Sequence, residues 1–301
     1  MNQKITPNLW FDGNAKEAVE FYTSVFPGST VASTAYYPKS VDEGLADFQK
    51  DLAGEVLQID FSLAGHDFTA INADDTFTPT DGISFLINFD PSDDPDALQH
   101  LDQVWDKLID GGKALIPIAE QPYSKRYGWV KDKYGFGWQL MLTDPDGEPR
   151  PCVIPDFLFS GPVQNQAEEA MKYYAEVFGD DSKVNIIARY EQDQPPVKSG
   201  SVMFGEMQLA GQWFAAMDSA VEKQESFSEA LSLSVTCIDQ VEIDYFWSKL
   251  SHVPESEQCG WCKDKFGVSW QIIPEKFAEL MSGPDAFKIL MNQHKIVIAE
   301  Y

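Results

Sequence analysis

From residue 57 to 63 the chain reads Leu-Gln-Ile-Asp-Phe-Ser-Leu, apolar and polar in alternation. A period of two is that of a strand, so Leu57, Ile59, Phe61 and Leu63 face one way and Gln58, Asp60 and Ser62 the other. Elsewhere the spacing lengthens to that of a helix. In Asn14 to Phe26 the residues Ala18, Phe21, Tyr22, Val25 and Phe26 share one face, Asn14 can cap the start, and Pro27-Gly28 ends the run. Ile5 to Phe11 precedes this helix as a β-run broken by Asp12-Gly13, and Thr30 to Tyr37 follows it as a further strand. The alternating stretch belongs to a predicted hairpin, Glu55 to Ala64 and Asp67 to Ala73, joined at Gly65-His66. A strand over Ile83 to Phe89 comes next, then an amphipathic helix carrying Leu101, Val104, Trp105 and Leu108. Pro91 to Asp96 and Leu115 to Lys125 read as surface loops or cavity rims.

The order then repeats. Cys152 to Phe159, a helix over Ala167 to Phe178, Lys183 to Tyr190, the hairpin Ser201 to Asp218 turning at Gly211-Gln212, Leu231 to Cys237, and a helix with Tyr245, Phe246, Trp247 and Leu250 follow in the same sequence. The sharpest match is Gly128-Trp-Val-Lys-Asp-Lys-Tyr-Gly-Phe-Gly-Trp-Gln-Leu140 against Gly260-Trp-Cys-Lys-Asp-Lys-Phe-Gly-Val-Ser-Trp-Gln-Ile272. The chain is a tandem duplication. The polar, Pro-rich stretch Asp144 to Pro151 sets the boundary, giving modules over 1–149 and 150–301. The second copy carries about four extra residues, near Pro162 to Asn165, before its first helix. Glu275 to Met281, a break at Gly283-Pro284 and Ala286 to Tyr301 form a tail without counterpart, predicted to be helical.

Composition narrows the class. With 301 residues, 44% hydrophobic, there is enough chain for two ordinary globular cores. A net charge of -26 repels phosphate backbones and anionic membranes, so nucleic-acid and membrane partners are not expected. No apolar run is long enough to span a bilayer and Met1 to Lys4 lacks a signal-peptide core, which points to the cytoplasm. The four histidines are scattered without metal-ligand spacing. Cys259 and Cys262 form a CxxC, but the first copy has Tyr127 and Val130 at those positions and no helix start follows, so neither redox nor zinc chemistry is expected there.

Phe11-Asp-Gly-Asn-Ala-x-x-Ala-x-x-Phe-Tyr22, Leu209-Ala-Gly-Gln-x-Phe214 and Cys259-Gly-Trp-x-Lys-Asp-x-Phe-Gly-Val-Ser-Trp-Gln-Ile-Ile-Pro274 together resemble the PhnB-like family of the vicinal oxygen chelate (glyoxalase and bleomycin-resistance) superfamily. Members often carry the label 3-demethylubiquinone-9 3-methyltransferase. The resemblance implies an α+β fold of βαβββ modules, paired into curved mixed sheets that enclose a cavity, with one polypeptide supplying what a homodimer of single modules would. It implies a small-molecule ligand, and a monomer with an internal pseudo-dimer or a homodimer. In metal-using members a first-strand ligand and a last-strand Glu hold the ion. Those positions fall here on Asn8 and Asp156, and on Gln139 and Gln271. Amides hold transition metals weakly, so no metal and no cofactor are expected. A metal-dependent lyase, isomerase or dioxygenase is the alternative, and a drug-sequestering protein another. No Gly-rich strand-turn-helix offers to hold an adenosyl cofactor, so methyl transfer is not expected.

Alternation supplies the candidate site. Asp60 corresponds to Glu206, Asn72 to Asp218, Asn8 to Asp156 and Gln139 to Gln271. Together with Trp10 they are expected to line one hollow between the halves, polar groups set in aromatic walls. Asp60 or Glu206 is the expected general base, removing a proton beside a carbonyl held by Gln139 or Gln271. Asn8, Trp10, Asn72, Asp156 and Asp218 are expected to bind the ligand. Trp138 and Trp270 read as core, and Tyr22 and Tyr174 as helix-to-sheet packing.

Overall fold

A computed structural model describes residues 3–179, 181–283 and 285–301. Met1 and Asn2 of the N-terminal stretch, and Pro284 of the Gly283-Pro284 break, lie outside the described residues. Three successive βαβββ units and a fourth of βαββ order follow one another along the described residues. The first is β1 (Ile5–Asp12), α1 (Ala15–Val25), β2 (Thr30–Tyr36), β3 (Val56–Leu63) and β4 (His66–Ala73). The second is β5 (Ile83–Phe89), α2 (Ala97–Ile109), β6 (Lys113–Gln121), β7 (Ser124–Lys131) and β8 (Gly137–Leu142). The third is β9 (Val153–Phe159), α3 (Ala167–Phe178), β10 (Lys183–Arg189), β11 (Val202–Leu209) and β12 (Gln212–Asp218). The fourth has β13 (Leu231–Cys237), α4 (Gln240–Leu250), β14 (Trp261–Lys263) and β15 (Ser269–Pro274), and after it come α5 (Phe277–Leu280) and α6 (Ala286–Met291).

The units do not pair within their own repeat. Sheet A has the order β14-β15-β13-β1-β4-β3-β2, and sheet B the order β10-β11-β12-β9-β5-β8-β7-β6. The seams are antiparallel, with Ile5 opposite Val235 in one and Ile83 opposite Phe157 in the other. Each sheet thus joins the first unit of one repeat to the second unit of the other, and a single chain completes both.

Helices α1 and α4 pack on sheet A, α2 and α3 on sheet B, always on one face. One hydrophobic cluster runs through both helix-covered faces and includes Leu9, Phe61, Phe85, Trp138, Phe157, Phe214, Leu233 and Trp270. Phe68 of sheet A meets Phe85 of sheet B at 4.9 Å between ring centroids. The two helix-free faces therefore turn away from a shared core. The expectation of one hollow between the halves gives way to two separate faces, because burying both apolar sides together leaves the polar sides outward.

The duplicated turn explains why Asp, Tyr and Trp recur. Asp132 Oδ2 accepts from Tyr22 Oη and Trp138 Nε1, both at 2.7 Å, and Oδ1 accepts from the backbone N–H groups of Tyr134 and Phe136 at 2.8 and 3.0 Å. Asp264 repeats the arrangement with Tyr174 at 2.7 Å, Trp270 at 2.8 Å and the N–H groups of Phe266 and Val268 at 2.8 and 3.0 Å. Burial pushes each carboxyl up and the four donors pull it back down. Tyr22 sits on α1 over sheet A and Asp132 in the β7–β8 turn of sheet B, so this cluster clamps the two sheets together. Trp138 and Trp270 are fully buried, as expected of core.

Two stretches differ from the expectation. Leu115 to Lys125 is not a loop: most of it lies in the β6–β7 hairpin. Repeated register shifts along that pairing break the alternation, and Pro117 is tolerated because β6 is an edge strand. The tail is α-helical in two short pieces, and a 3-10 turn over Ile298–Glu300 closes it. Beyond those two pieces, the carbonyls of Gln293 and His294 accept from the N–H groups of Cys259 and Gly260 at 2.8 and 2.7 Å. A Cβ on Gly260 would lie 2.9 Å from Ile296, as one on Gly128 would lie 2.9 Å from the Cα of Ile118 in β6. The tail thus fills, in the fourth unit, the place that β6 takes in the second.

Candidate functional site

Among the described residues no helix packs on the outer face of sheet B, yet Ser84 is 0%, Asp156 1% and Gln139 2% exposed. The sheet is curved, and on its concave side Leu86, Tyr127, Ile154 and Ala215 form an apolar cluster that helps cover them. The strands deliver the polar residues by register: Ser84 of β5 stands opposite Asp156 of β9, and Trp129 of β7 opposite Gln139 of β8. Gln139 organises the centre. Its Oε1 accepts from Tyr127 Oη at 2.5 Å, which turns its amide N–H groups toward Ser84 Oγ at 2.9 Å and Asp156 Oδ2 at 2.6 Å.

Asp156 Oδ1 is buried and has no hydrogen-bond partner among the described residues, and the same holds for Trp129 Nε1. Burial pushes the Asp156 carboxyl up to about 7, against the opposing pull of the Gln139 hydrogen bond. An acid of this kind changes charge near neutrality, which an exposed Asp does not. The unpartnered indole N–H is a donor on the same face.

Glu206 reaches the same face from β11, 7% exposed. Its carboxylate is held by Arg150, whose Nε and Nη2 each lie 3.0 Å from one of its oxygens. The guanidinium lies over the Trp213 ring, 4.3 Å from its centroid.

Sheet A carries the corresponding residues without the acid. Asn8 stands where Asp156 does and donates to the carbonyl of Thr6 at 3.0 Å, while Gln271 donates to Ser232 Oγ at 3.0 Å. Asp60 accepts from Ser33 at 2.6 Å, Gln58 at 2.8 Å and Thr69 at 3.0 Å. Trp10 donates to the carbonyl of Asp74 at 2.8 Å and meets Trp261 edge-on at 6.0 Å. So Asn8, Trp10, Asp60 and Gln271 are brought together on one concave face, and Gln139, Asp156 and Glu206 on the other.

Asn72 and Asp218 belong to neither. They lie on the helix-covered side, where Asn72 Oδ1 accepts from the Ala15 N–H at 3.1 Å and Asp218 accepts from Ala167 and Val202 at 3.2 and 2.9 Å. Each braces the start of a helix from the strand beneath it. Asn14, at the N-cap position, makes no side-chain cap. The signal was legible in the parity, since Asn72 shares its face with Phe68 and Ala70, and Asp218 with Phe214 and Ala216. Ser84, Tyr127, Trp129 and Arg150 were missed: Ser84 sits in an almost wholly apolar strand, and Arg150 in a stretch with no periodicity at all.

The donor chemistry does not match a transition-metal site. On sheet B Glu206 is committed to Arg150, the Gln139 oxygen to Tyr127 and its nitrogen to Asp156, leaving one carboxylate. On sheet A the set is two amides, a serine and an Asp already holding three donors. No group of three or more His, Cys, Asp or Glu stands together among the described residues. Burial pushes the thiols of Cys259 and Cys262 up, the reverse of what thiolate chemistry needs.

Comparison with known proteins agrees with this architecture. The family described as 3-demethylubiquinone-9 3-methyltransferase matches residues 3–141 and again 152–273. A putative 3-demethylubiquinone-9 3-methyltransferase, PhnB protein, from Bacillus cereus is 35% identical over 47% of this chain and all of its own, with a TM-score of 0.38. A point mutant of glyoxalase I from Zea mays is 12% identical over 92% of this chain and 96% of its own, with a TM-score of 0.50, a likeness of fold. Comparison with curated proteins yields no match. The chain therefore belongs to the 3-demethylubiquinone-9 3-methyltransferase family, with two family modules in tandem.

Proposed function

We propose that the concave face of sheet B binds a small organic molecule without a metal and that Asp156 is its acid–base group. The observation that carries this reading is the buried Asp156 carboxyl, with one oxygen held by Gln139, the other unpartnered, and a charge change near pH 7. Below that point Asp156 donates a hydrogen bond to a ligand oxygen; above it, the group accepts a proton. For a ligand with a carbonyl, Asp156 Oδ1 takes the proton from the neighbouring carbon. The C–H electrons pass into an enolate whose oxygen Trp129 Nε1–H stabilises. The base expected at Asp60 or Glu206 thus moves to Asp156, because Glu206 is neutralised by Arg150 and Asp60 already accepts from three side chains.

One chain builds both concave faces, which supports a working monomer with an internal pseudo-dimer. No helix among the described residues is long and apolar enough to cross a membrane. The four cysteines are free thiols, which favours a reducing compartment such as the cytoplasm.

The test is a thermal-shift screen of small keto acids and related carbonyl compounds against the wild type and Asp156→Asn. A compound that raises Tm in the wild type and not in the variant is the expected result. If every active compound stabilises Asp156→Asn equally, and Asn8→Ala or Gln271→Ala removes the effect, the site is sheet A instead.

A further inference from the structure

We infer that Glu206 and the Trp213 ring form a subsite for a flat organic cation, of guanidinium or amidinium type, in which Arg150 sits as a tethered occupant. The inference rests on the reading of sheet B only in placing both groups within reach of one ligand. Glu206 pairs with Ala215, and Ala215 with Asp156. At the usual strand spacing this puts about 10 Å between the two carboxyls on one face.

What is rigid here and what is tethered decides the chemistry. Glu206 and Trp213 belong to adjacent strands, β11 and β12, inside an eight-stranded sheet. Arg150 hangs from the linker between the repeats, in a run from Asp144 to Pro151 that joins no strand or helix. Two prolines, Pro149 and Pro151, flank it and hold that segment extended. The Arg150 fork meets Glu206 through Nε and Nη2, its plane lies over the indole, and its Nη1 reaches the exposed Glu148 carboxylate at 3.3 Å. These are the contacts by which a carboxylate and an aromatic face select a planar cation over a compact ammonium.

An anionic ligand does not fit the same place. Bringing a second carboxylate to Arg150 leaves Glu206 fixed beside it, like charge against like charge. Withdrawing Arg150 without replacement leaves a nearly buried carboxylate unpaired, among the costliest states a protein interior offers. A cation that takes over these contacts avoids that cost without protonating Glu206, and the net charge of -26 draws cations toward the molecule.

Methylguanidinium and acetate serve as probes in calorimetric titrations of the wild type, Arg150→Ala and Arg150→Ala/Glu206→Gln. Arg150→Ala is expected to bind methylguanidinium, the double variant to lose it, and the wild type to bind at least about tenfold more weakly, because the tethered arginine competes at high effective concentration. A folded Arg150→Ala that ignores methylguanidinium, or takes acetate in preference, overturns the inference. Should Arg150→Ala not fold, the Arg150 Nε–H resonance of the wild type is followed during titration. Its release below the onset of unfolding supports the subsite, and an unchanged signal overturns it. The Asp156 titration is recorded in Glu206→Gln as well. If it persists while cation binding is absent from every variant, the subsite alone fails; if it is missing while cations bind, the acid–base reading alone fails.

Discussion

Tyr22 Oη donates to Asp132 Oδ2 at 2.7 Å, and Tyr174 makes the same bond to Asp264 at the same length. Both pairs join a helix on one sheet to a turn of the other, so a bond that recurs in both repeats is also one that holds the sheets in place. Tyr22→Phe and Tyr174→Phe should each lower stability by about 1.5–3 kcal/mol, the range for a hydrogen bond to a charged group. Asp132→Asn, which turns an amide N–H₂ toward at least one N–H group that can only donate, should cost about 3–5 kcal/mol, and Asp264→Asn the same. Urea unfolding of the four variants checks both the size and the equality between repeats.

Asp156 makes stability depend on pH in a stated direction. Its folded carboxyl titrates at about 7 and an unfolded Asp near 4. Between those values the unfolded chain binds fewer protons than the folded one, so stability falls as pH rises from about 4 to about 7 and is level above. Asp156→Asn removes this loss, and Asn8 shows that the fold accommodates an amide at the matching position. The variant should be more stable than the wild type at pH 8, by on the order of 4 kcal/mol at most, and the difference should vanish near pH 4. Melting curves across that range decide it; a variant less stable at pH 8 contradicts the buried acid.

Gln139 lowers the Asp156 carboxyl by donating to it. Gln139→Leu should therefore move the Asp156 titration above its wild-type position, visible by NMR of the labelled carboxyl. Tyr127→Phe, which frees the Gln139 oxygen and with it the orientation of the amide, should move the titration in the same direction by less. A downward move in either variant would contradict the proposed hydrogen-bond order.

Ile296 is fully buried in the tail and stands against Gly260, whose backbone has φ +85°. Ile296→Ala should cost about 2–5 kcal/mol and Gly260→Ala at least about 1 kcal/mol, the second through both strain and overpacking. Denaturant midpoints measured with unchanged slopes test this, and a neutral Ile296→Ala would mean the tail is not part of the core.

Much of this molecule is local information. The duplication, the order of strands and helices, the cup-facing parity of Gln58, Asp60 and Ser62, and the core role of Trp138 and Trp270 follow from spacing alone, because side-chain direction in a strand or helix depends only on position along it. Family membership was legible for the same reason, in the turn that carries Asp132 and Asp264. Where the apolar pattern failed, as over Leu115 to Lys125, the strand was held by pairing with β7 and not by its own periodicity.

Tertiary structure alone decided which units share a sheet. Ile5 to Phe11 carries the same alternation whether its neighbour is β5 or β13, and residues more than two hundred positions apart settle the choice. It also decided that Asp132 collects four donors while Asp156 keeps a bare oxygen. Both are short polar residues in apolar surroundings along the chain. Their difference is one of desolvation and partners, and both are supplied by strands that the local sequence does not contain.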